Sequence, residues 1–208
     1  MATKETQKLI THTALELFNE FGTKAISTNR IADECQLSRG NLHYHFRTKE
    51  EIVHTIFDEI NREMEASWYT DHLEPTMQKM HFMFVRQIKL IWRYRFLYRE
   101  LNSLLLNDEY FKIKFMRNRV RRYKEVELFF AELIAAGLIN TPAEPVSMNS
   151  LLTISWLISD QWLAHLDMHD LEVNEARISQ GFELIMHIFD PYLTDVAKSQ
   201  YRSITLES

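Results

Sequence analysis

The sequence predicts an all-α protein of about nine or ten helices, in which an N-terminal three-helix head is joined by a fourth helix to a C-terminal helical bundle. Glycine and proline number only four each in 208 residues, too few for the turns between the many short strands of a β-rich fold. Apolar residues recur at spacings of three and four, which is the period of an amphipathic helix. Long helices with few breaks follow from these two observations.

The first three helices are predicted from apolar spacing and capping residues. The first spans about residues 4–21 and ends before Gly22, a residue type that commonly closes a helix in the left-handed conformation. Ser27 or Thr28 can cap a second helix, and Ser38 can cap a third that runs through Phe46. The residues expected to face inward are Leu9, Ile10, Leu17, Phe18 and Phe21, then Ile31 and Ala32, then Leu42 and Phe46.

The later helices are longer. Thr48 and Glu51 have the spacing of a capping box and open the fourth, whose apolar stripe holds residues 52, 56, 60 and 64. Glu74-Pro75-Thr76 restarts a helix that reaches residue 92, since proline is tolerated in a first turn. Further helices are expected at about 94–106, 108–137, 147–166, 172–189 and 192–203, with a loop at 141–145.

Composition and charge place the chain among ordinary globular proteins. Hydrophobic residues make up 46% and charged residues 25%. No stretch is long and apolar enough to span a bilayer, the N-terminus has no signal-peptide core, and the single Cys35 fits a reducing compartment. We therefore expect a cytoplasmic location, with Cys35 as a small buried residue rather than a redox sensor. The net charge of −5 excludes DNA binding by diffuse positive charge, although a local cluster can still bind phosphates.

Residues 27–49 have the pattern of a helix-turn-helix, in which two short helices flank a tight turn and the second enters the major groove of DNA. On the second of these helices, Leu42 and Phe46 face one way. The side chains of Arg39, Asn41, His43 and Tyr44 point elsewhere and are of the types that contact bases and phosphates. Gly40 lets the backbone approach DNA closely, at a cost of about 1 kcal/mol in helix propensity. This segment predicts a DNA-binding function.

The N-terminal region resembles the TetR family of transcriptional regulators. The matching segments, in the family's order and spacing, are Ala14-Leu15-Glu16-Leu17-Phe18, Phe21-Gly22, Thr28 with Ile31-Ala32, Leu37-Ser38, Gly40-Asn41-Leu42, Tyr44-His45-Phe46 and Lys49-Glu50-Glu51-Ile52. The resemblance is specific over about residues 5–57 because it combines many positions on three helices. It implies a helix-turn-helix DNA-binding domain at 1–48 and a ligand-binding and dimerisation domain at 49–208.

The resemblance also implies roles for individual residues. The DNA-contacting positions are Thr28 and Asn29 on the second helix, Ser38, Arg39, Gly40 and Asn41 at the start of the third, then His43, Tyr44 and His45, and Lys49 as a phosphate contact. His43 stands where the family commonly has a tyrosine, so its contact is expected to differ or to be sensitive to pH. Gln36 stands where glycine is frequent, which implies backbone strain.

Dimerisation is expected through the last two large helices, which the resemblance places in a four-helix bundle with their symmetry mates. Apolar residues run too far around these helices to face one core only, although a fully buried helix in a monomer would look the same. The expected interface residues are Trp156, Ile158, Trp162, Phe182, Ile185, Met186 and Phe189.

The C-terminal helical bundle, called the body below, is rich in aromatic and methionine residues. We expect it to contain an effector pocket for a small apolar or amphipathic molecule. Its expected lining is Phe84, Trp92, Phe96, Phe111, Phe115, Phe129 and Trp156. The leading interpretation is a repressor that the effector releases from operator DNA. The alternative is a DNA-anchored adaptor whose body recruits a protein partner. No nucleophile–base pair, phosphate-binding glycine loop or dense metal cluster stands out, so neither catalysis nor a cofactor is expected.

Two polar features have competing interpretations. A basic run between Lys112 and Lys124 is spread around its helix, which favours a solvated face over a site for a carboxylate or phosphate. His165 and His169 are four residues apart and could meet as metal ligands, but surface histidines at a helix end are expected instead.

Overall fold

A computed structural model describes residues 2–69 and 76–206 of the chain. Within these residues the chain forms ten α-helices and one 3₁₀ helix, and the predicted all-α fold is confirmed. The helices are α1 Ala2–Phe21, α2 Thr28–Glu34, α3 Arg39–His45, α4 Lys49–Tyr69, α5 Met77–Arg93, α6 Arg95–Asn107, α7 Glu109–Ala135, α8 Met148–Met168, α9 Glu175–Phe189 and α10 Asp195–Leu206, with the 3₁₀ turn at Asp190–Tyr192. No helix in these two ranges has the length and apolar character needed to cross a membrane.

The ends of the head helices follow the expected local chemistry. The hydroxyl of Ser27 accepts a hydrogen bond from the N–H of Arg30, and that of Ser38 accepts one from the N–H of Asn41. Gly22 closes α1 with a φ of 78°, and Gln36 adopts a φ of 55° in the turn between α2 and α3. The strained turn position expected at Gln36 is therefore confirmed, because a side chain in this left-handed region is strained.

One apolar core unites the head with α4, α6 and the start of α7. It contains Ile10, Phe18, Ile31, Leu42 and Phe46 of the head, together with Ile52, Ile56, Ile60, Phe96 and Phe111. The inward face predicted for α1 was wrong at its edges, since Leu9 and Phe21 are exposed. The buried stripe of α1 consists of residues 10, 14, 17 and 18, whose spacings of three and four residues place them on one side of the helix.

A second core lies between α5, α7, α8, α9 and α10. Some helix ends differ from the sequence expectations because of caps that the apolar pattern does not contain. Asn174 caps α9, so this helix begins at Glu175 rather than 172. The predicted restart residues Glu74 and Pro75 lie outside the described residues, and the hydroxyl of Thr76 caps α5.

The capping box predicted at α4 is only half formed. The hydroxyl of Thr48 accepts a hydrogen bond from the N–H of Glu51 at 3.3 Å. The carboxylate of Glu51 reaches one residue further back, to the N–H of Arg47 at 2.7 Å. Both bonds still satisfy backbone donors at the start of α4.

Candidate functional site

The exposed side of α3 carries the polar residues that the sequence singled out. Arg39, Asn41 and His43 are exposed and Tyr44 is 78% exposed, whereas Leu42 on the opposite side is 1% exposed. Because Leu42 is locked in the head core, the helix is held at a fixed rotation. Its polar side is thereby presented to solvent as one surface.

Gly40 lies on this surface with open space around it. A Cβ atom built at Gly40 would meet no atom within 4 Å. The protein itself therefore does not require glycine at this position. Close approach of another molecule to the backbone is a physical reason for the residue.

Neighbouring candidates border the same surface. Asn29 is exposed and Thr28 is half-buried at the start of α2. The ring of His45 is half-buried and lies edge-on to the ring of Tyr44, with 5.1 Å between centroids. Ser38 is exposed, but its hydroxyl already accepts the capping bond from Asn41.

The side chain of Lys49, the predicted phosphate contact, is half-buried and bonds to its own chain. Its ammonium group donates hydrogen bonds to the carbonyls of Thr23, at 2.5 Å, and Ile26, at 3.0 Å. These bonds hold the loop between α1 and α2 against the start of α4. A phosphate contact from Lys49 would have to be made alongside them.

A polar clamp connects the head to the joint between α5 and α6. The amide of Asn19 donates to the carbonyl of Arg93 at 2.8 Å and accepts from the N–H of Phe96 at 3.0 Å. The N–H of Thr23 donates to the carboxylate of Glu100 at 2.9 Å. These hydrogen bonds hold the end of α1 against the α5–α6 joint.

A second connection joins α4 to the start of α7. The ring of His54 contacts the carboxylate of Asp108 at 2.6 Å, and Asp108 also caps α7 by accepting from the N–H of Phe111 at 2.8 Å. Burial alone would raise the pKa of Asp108. The hydrogen bonds from Phe111 and His54 outweigh it and hold that pKa below its usual range. Lys114 adds an ion pair with Asp58 at 2.7 Å.

The body contains a partly open apolar cavity of about 120 Å³ between α4, α5, α7, α8 and α9. Its polar lining residues are Gln87, Arg122, Ser155 and Ser159, and the rest of the wall is apolar. The apolar residues are Met64, Met80, Met83, Phe84, Val126, Phe129, Phe130, Leu152, Trp156, Phe182, Ile185 and Phe189. Methionine and aromatic side chains make such a wall adaptable in shape.

The structure brings together only part of the pocket predicted from the sequence. Phe84, Phe129 and Trp156 line the cavity, and Phe115 lines a smaller chamber of about 50 Å³ that shares one wall with it. Phe96 and Phe111 do not line the cavity, because they are buried in the core that unites head and body. Trp92 does not line it either and lies under the guanidinium of Arg95, 4.4 Å from the ring centroid.

Part of the basic run on α7 is solvated, as the sequence favoured, since Lys112, Arg117 and Lys124 are exposed, but its other members are engaged within the chain. Lys114, Arg119 and Arg121 form ion pairs with acidic residues of α4 and α8. Arg122 is only 2% exposed, lines the cavity, and pairs through Nη1 with Glu125 at 2.6 Å. Sequence reasoning missed Arg122 as a pocket residue, because a basic run gives no sign of which member faces inward.

The apolar stripe predicted for dimerisation on α9 is already used within the chain. Phe182, Ile185, Met186 and Phe189 are buried in the second core of their own chain, so little of their surface is left for a partner, and the expected interface stays a prediction. On α8, Ile158 packs against the same core and Trp156 lines the cavity. Trp162 covers Gly181 of α9 and donates from Nε1 to the carbonyl of Arg177 at 2.6 Å.

A different face of α8 and α9 is apolar and open. Ile154 and Leu157 of α8 are exposed, the latter by 59%, and Leu184 of α9 is exposed as well. These side chains lie on the sides of the two helices that face away from the core.

The two histidines at the end of α8 lie close together but have no third metal-ligating residue beside them among the described residues. The rings of His165 and His169 have centroids 4.6 Å apart. Nearby Asp167 is engaged by Arg99 at 2.7 Å. Across the described parts of the chain, no three His, Cys, Asp or Glu residues are placed to hold a metal ion.

Comparison with known proteins agrees with this architecture. Residues 10–56 match the family of bacterial regulatory proteins named tetR, and residues 58–201 match the TetR family of bacterial transcriptional repressors. The chain is 25% identical over 111 residues to the HTH-type transcriptional regulator QacR of Staphylococcus aureus. The aligned segment covers 52% of this chain and 57% of QacR. It is 42% identical over 50 residues to the uncharacterized HTH-type transcriptional regulator YuxN of Bacillus subtilis, or 24% of this chain and 17% of YuxN.

A solved structure extends the similarity to nearly the whole chain. The crystal structure of a TetR-family transcriptional regulator from Marinobacter aquaeolei VT8 matches 97% of this chain and 98% of its own, with a TM-score of 0.85 and 28% sequence identity. Both curated matches, by contrast, span less than two thirds of those relatives. The two family matches together cover the head and most of the body. The chain therefore belongs to the TetR family of bacterial transcriptional regulators.

Proposed function

We propose that this regulator is a homodimeric repressor that binds operator DNA through α3 and is released by a small apolar or amphipathic effector. The observation that carries the proposal is the polar, exposed side of α3 above the buried Leu42. In this role Arg39 and Asn41 read base edges and Gly40 lets the backbone approach. His43, Tyr44 and His45, with Thr28, Asn29 and Ser38, position the helix on the DNA backbone. Lys49 contributes at most a shared phosphate contact.

A dimer supplies the second half-site that a single helix-turn-helix lacks. We place the interface on the outward sides of α8 and α9, with Ile154, Leu157 and Leu184 as its apolar centre. Exposed apolar side chains on adjacent helices are typical of surfaces that are covered in an oligomer. The buried residues of the α9 stripe then support the interface from behind.

Effector control would work by changing the spacing of the two heads. Met64 of α4 and Gln87 of α5 line the cavity, and the end of α5 is tied to the head through Asn19. A ligand that separates α4 from α5 therefore moves the clamp and favours a head arrangement that fits the operator poorly.

We propose a DNA-binding domain at 1–48 and a ligand-binding and dimerisation domain at 49–208, with α4 as the connecting element.

The adaptor alternative has no separate observation in its favour. Family members act as regulators, and we assign no catalytic role to this chain. Because its target is operator DNA, we expect it to act in the cytoplasm, at the nucleoid.

The test is binding of the purified protein to its own upstream intergenic DNA and to a scrambled duplex at two salt concentrations. Preferential binding to the upstream fragment is expected, with weaker binding by Arg39→Ala and Tyr44→Phe. Lys124→Ala, which removes an exposed charge from α7, is the control and should bind like the wild type. Equal and steeply salt-dependent binding to both duplexes, or no effect of Arg39→Ala, would contradict the assignment of α3.

A further inference from the structure

The cavity has one charged side chain in its wall, and this side chain is an arginine. Arg122 is 2% exposed and lines the cavity among methionine and aromatic residues. Burying a guanidinium is costly even when it is paired, and an ion pair gives no more stability than a well-packed apolar pair of similar size. A charge at this position therefore needs a reason beyond packing.

The polar residues of the cavity are gathered on one side. Gln87, Arg122 and Ser159, together with Met64 and Trp156, form the wall shared with the smaller chamber. Apart from Ser155, the remaining wall, towards Phe130, Phe182 and Phe189, is apolar. A molecule that fits both sides has a polar head and an apolar tail.

The charges around the shared wall favour an anionic head. Asp160 is the acidic residue that lines either chamber among the described residues, and both of its oxygens are engaged by the guanidinium of Arg119. The guanidinium of Arg119 also lies over the ring of Trp156, 4.1 Å from its centroid. The carboxylate of Glu125, which pairs with Arg122, lines neither chamber. A head group in the cavity therefore meets the guanidinium of Arg122 directly, and a cationic head would be repelled by it. A carboxylate matches the donor geometry of a guanidinium.

We propose that the effector is an amphipathic carboxylate, with its carboxylate bound at Arg122 beside Gln87 and Ser159 and its alkyl chain in the apolar cavity. This inference rests on the effector-gated function proposed above and names the chemical class of the effector. Glu125, which pairs with Arg122, competes with the ligand for the same guanidinium. Binding of the carboxylate then weakens that pair and the α7 surface around it.

The test compares three ligands that share one alkyl chain: decanoate, decan-1-ol and decylammonium. The two ionic ligands are used below their critical micelle concentrations, and the alcohol is used below its solubility limit. Binding to the full-length protein is measured by calorimetry, and release of operator DNA is measured in parallel. We expect decanoate to bind at least about tenfold more tightly than the alcohol, because a charge-assisted hydrogen bond is lost in the alcohol. Decylammonium should bind more weakly than either.

Two variants of opposite expected effect test the role of Arg122. Arg122→Met keeps the apolar volume and should reduce decanoate binding to the level of the alcohol, with alcohol binding unchanged. Glu125→Gln removes the competing charge and should tighten decanoate binding without changing alcohol binding. Because Glu125 is partly exposed, this second variant keeps the test decisive if Arg122→Met does not fold.

The outcomes separate this inference from the function on which it rests. Equal binding of decanoate and the alcohol, tighter binding of decylammonium, or no response to Glu125→Gln would overturn the carboxylate assignment. If decylammonium or the alcohol released the operator, the effector-gated function would stand and only the carboxylate assignment would fail. If no ligand bound and none released the operator, both proposals would fail.

Discussion

Replacing Gly40 by alanine should affect the stability of the free protein and its affinity for operator DNA in opposite directions. An added Cβ meets no atom within 4 Å in the free chain, and Gly40 lies within α3. Alanine favours a helix over glycine by roughly 0.5–1 kcal/mol. The variant should therefore unfold at the same temperature as the wild type or a few degrees above it, since 1 kcal/mol corresponds to roughly 2–4 °C in a chain of this size.

DNA binding should change in the opposite direction. If the backbone at Gly40 lies against the operator, the new methyl group overpacks that contact, which costs about 1–3 kcal/mol at each half-site. Over the two half-sites of a dimer this corresponds to a loss of about thirtyfold or more in affinity. Operator binding is measured by fluorescence anisotropy and unfolding by calorimetry. Ser199→Ala, at an exposed position of α10, is the matched control and should change helix propensity without affecting DNA affinity.

Two results would refute this reasoning. A lower unfolding temperature for Gly40→Ala would mean that the open space around the residue is not available. Unchanged operator affinity in a stable variant would mean that the backbone of α3 does not approach DNA at this point.

Three other substitutions test the packing and the connections of the body. Gly181→Ala places a Cβ 2.7 Å from the indole of Trp162, so calorimetry should show a loss of about 1–3 kcal/mol and sedimentation should show a weaker dimer; unchanged values would contradict the tight α8–α9 contact. Asn19→Ala leaves two backbone groups of the α5–α6 joint without their partner and should lower stability by roughly 2–4 kcal/mol, while an effect on operator release without any on stability would count against the clamp. Asp108→Asn keeps a good cap but removes the carboxylate whose pKa is depressed, so its deficit in unfolding free energy should be full above the unfolded-state pKa of about 4 and shrink as pH falls through the lower folded-state pKa; a deficit independent of pH would refute the ionic contribution.

The head could be predicted from the sequence almost residue by residue. Ser27 and Ser38 cap helices because their hydroxyls reach backbone donors three residues ahead, and Gly22 closes α1 as expected. These features depend on neighbours in the sequence. The polar side of α3 followed in the same way, since burial of Leu42 determines which of its neighbours remain exposed.

The body could be predicted only as a set of helices. Aromatic residues are expected in both cores and pockets, so Phe96 and Phe84 looked alike in the sequence. The structure places Phe96 in the core beside the head and Phe84 in the wall of the cavity. Which of the two environments a side chain enters depends on helices that are distant in the sequence.

The sequence by itself therefore determined the helical fold, the helix caps and the surface of α3, because these arise from interactions within one or two turns of a helix. Only the tertiary structure decided that Arg122 enters the cavity wall, that Phe182 and Phe189 face their own core, and that Leu157 is left open on α8. A helix with apolar residues on several sides fits equally well against a core, a cavity or a second subunit. The choice among them is made by the packing of all the helices together.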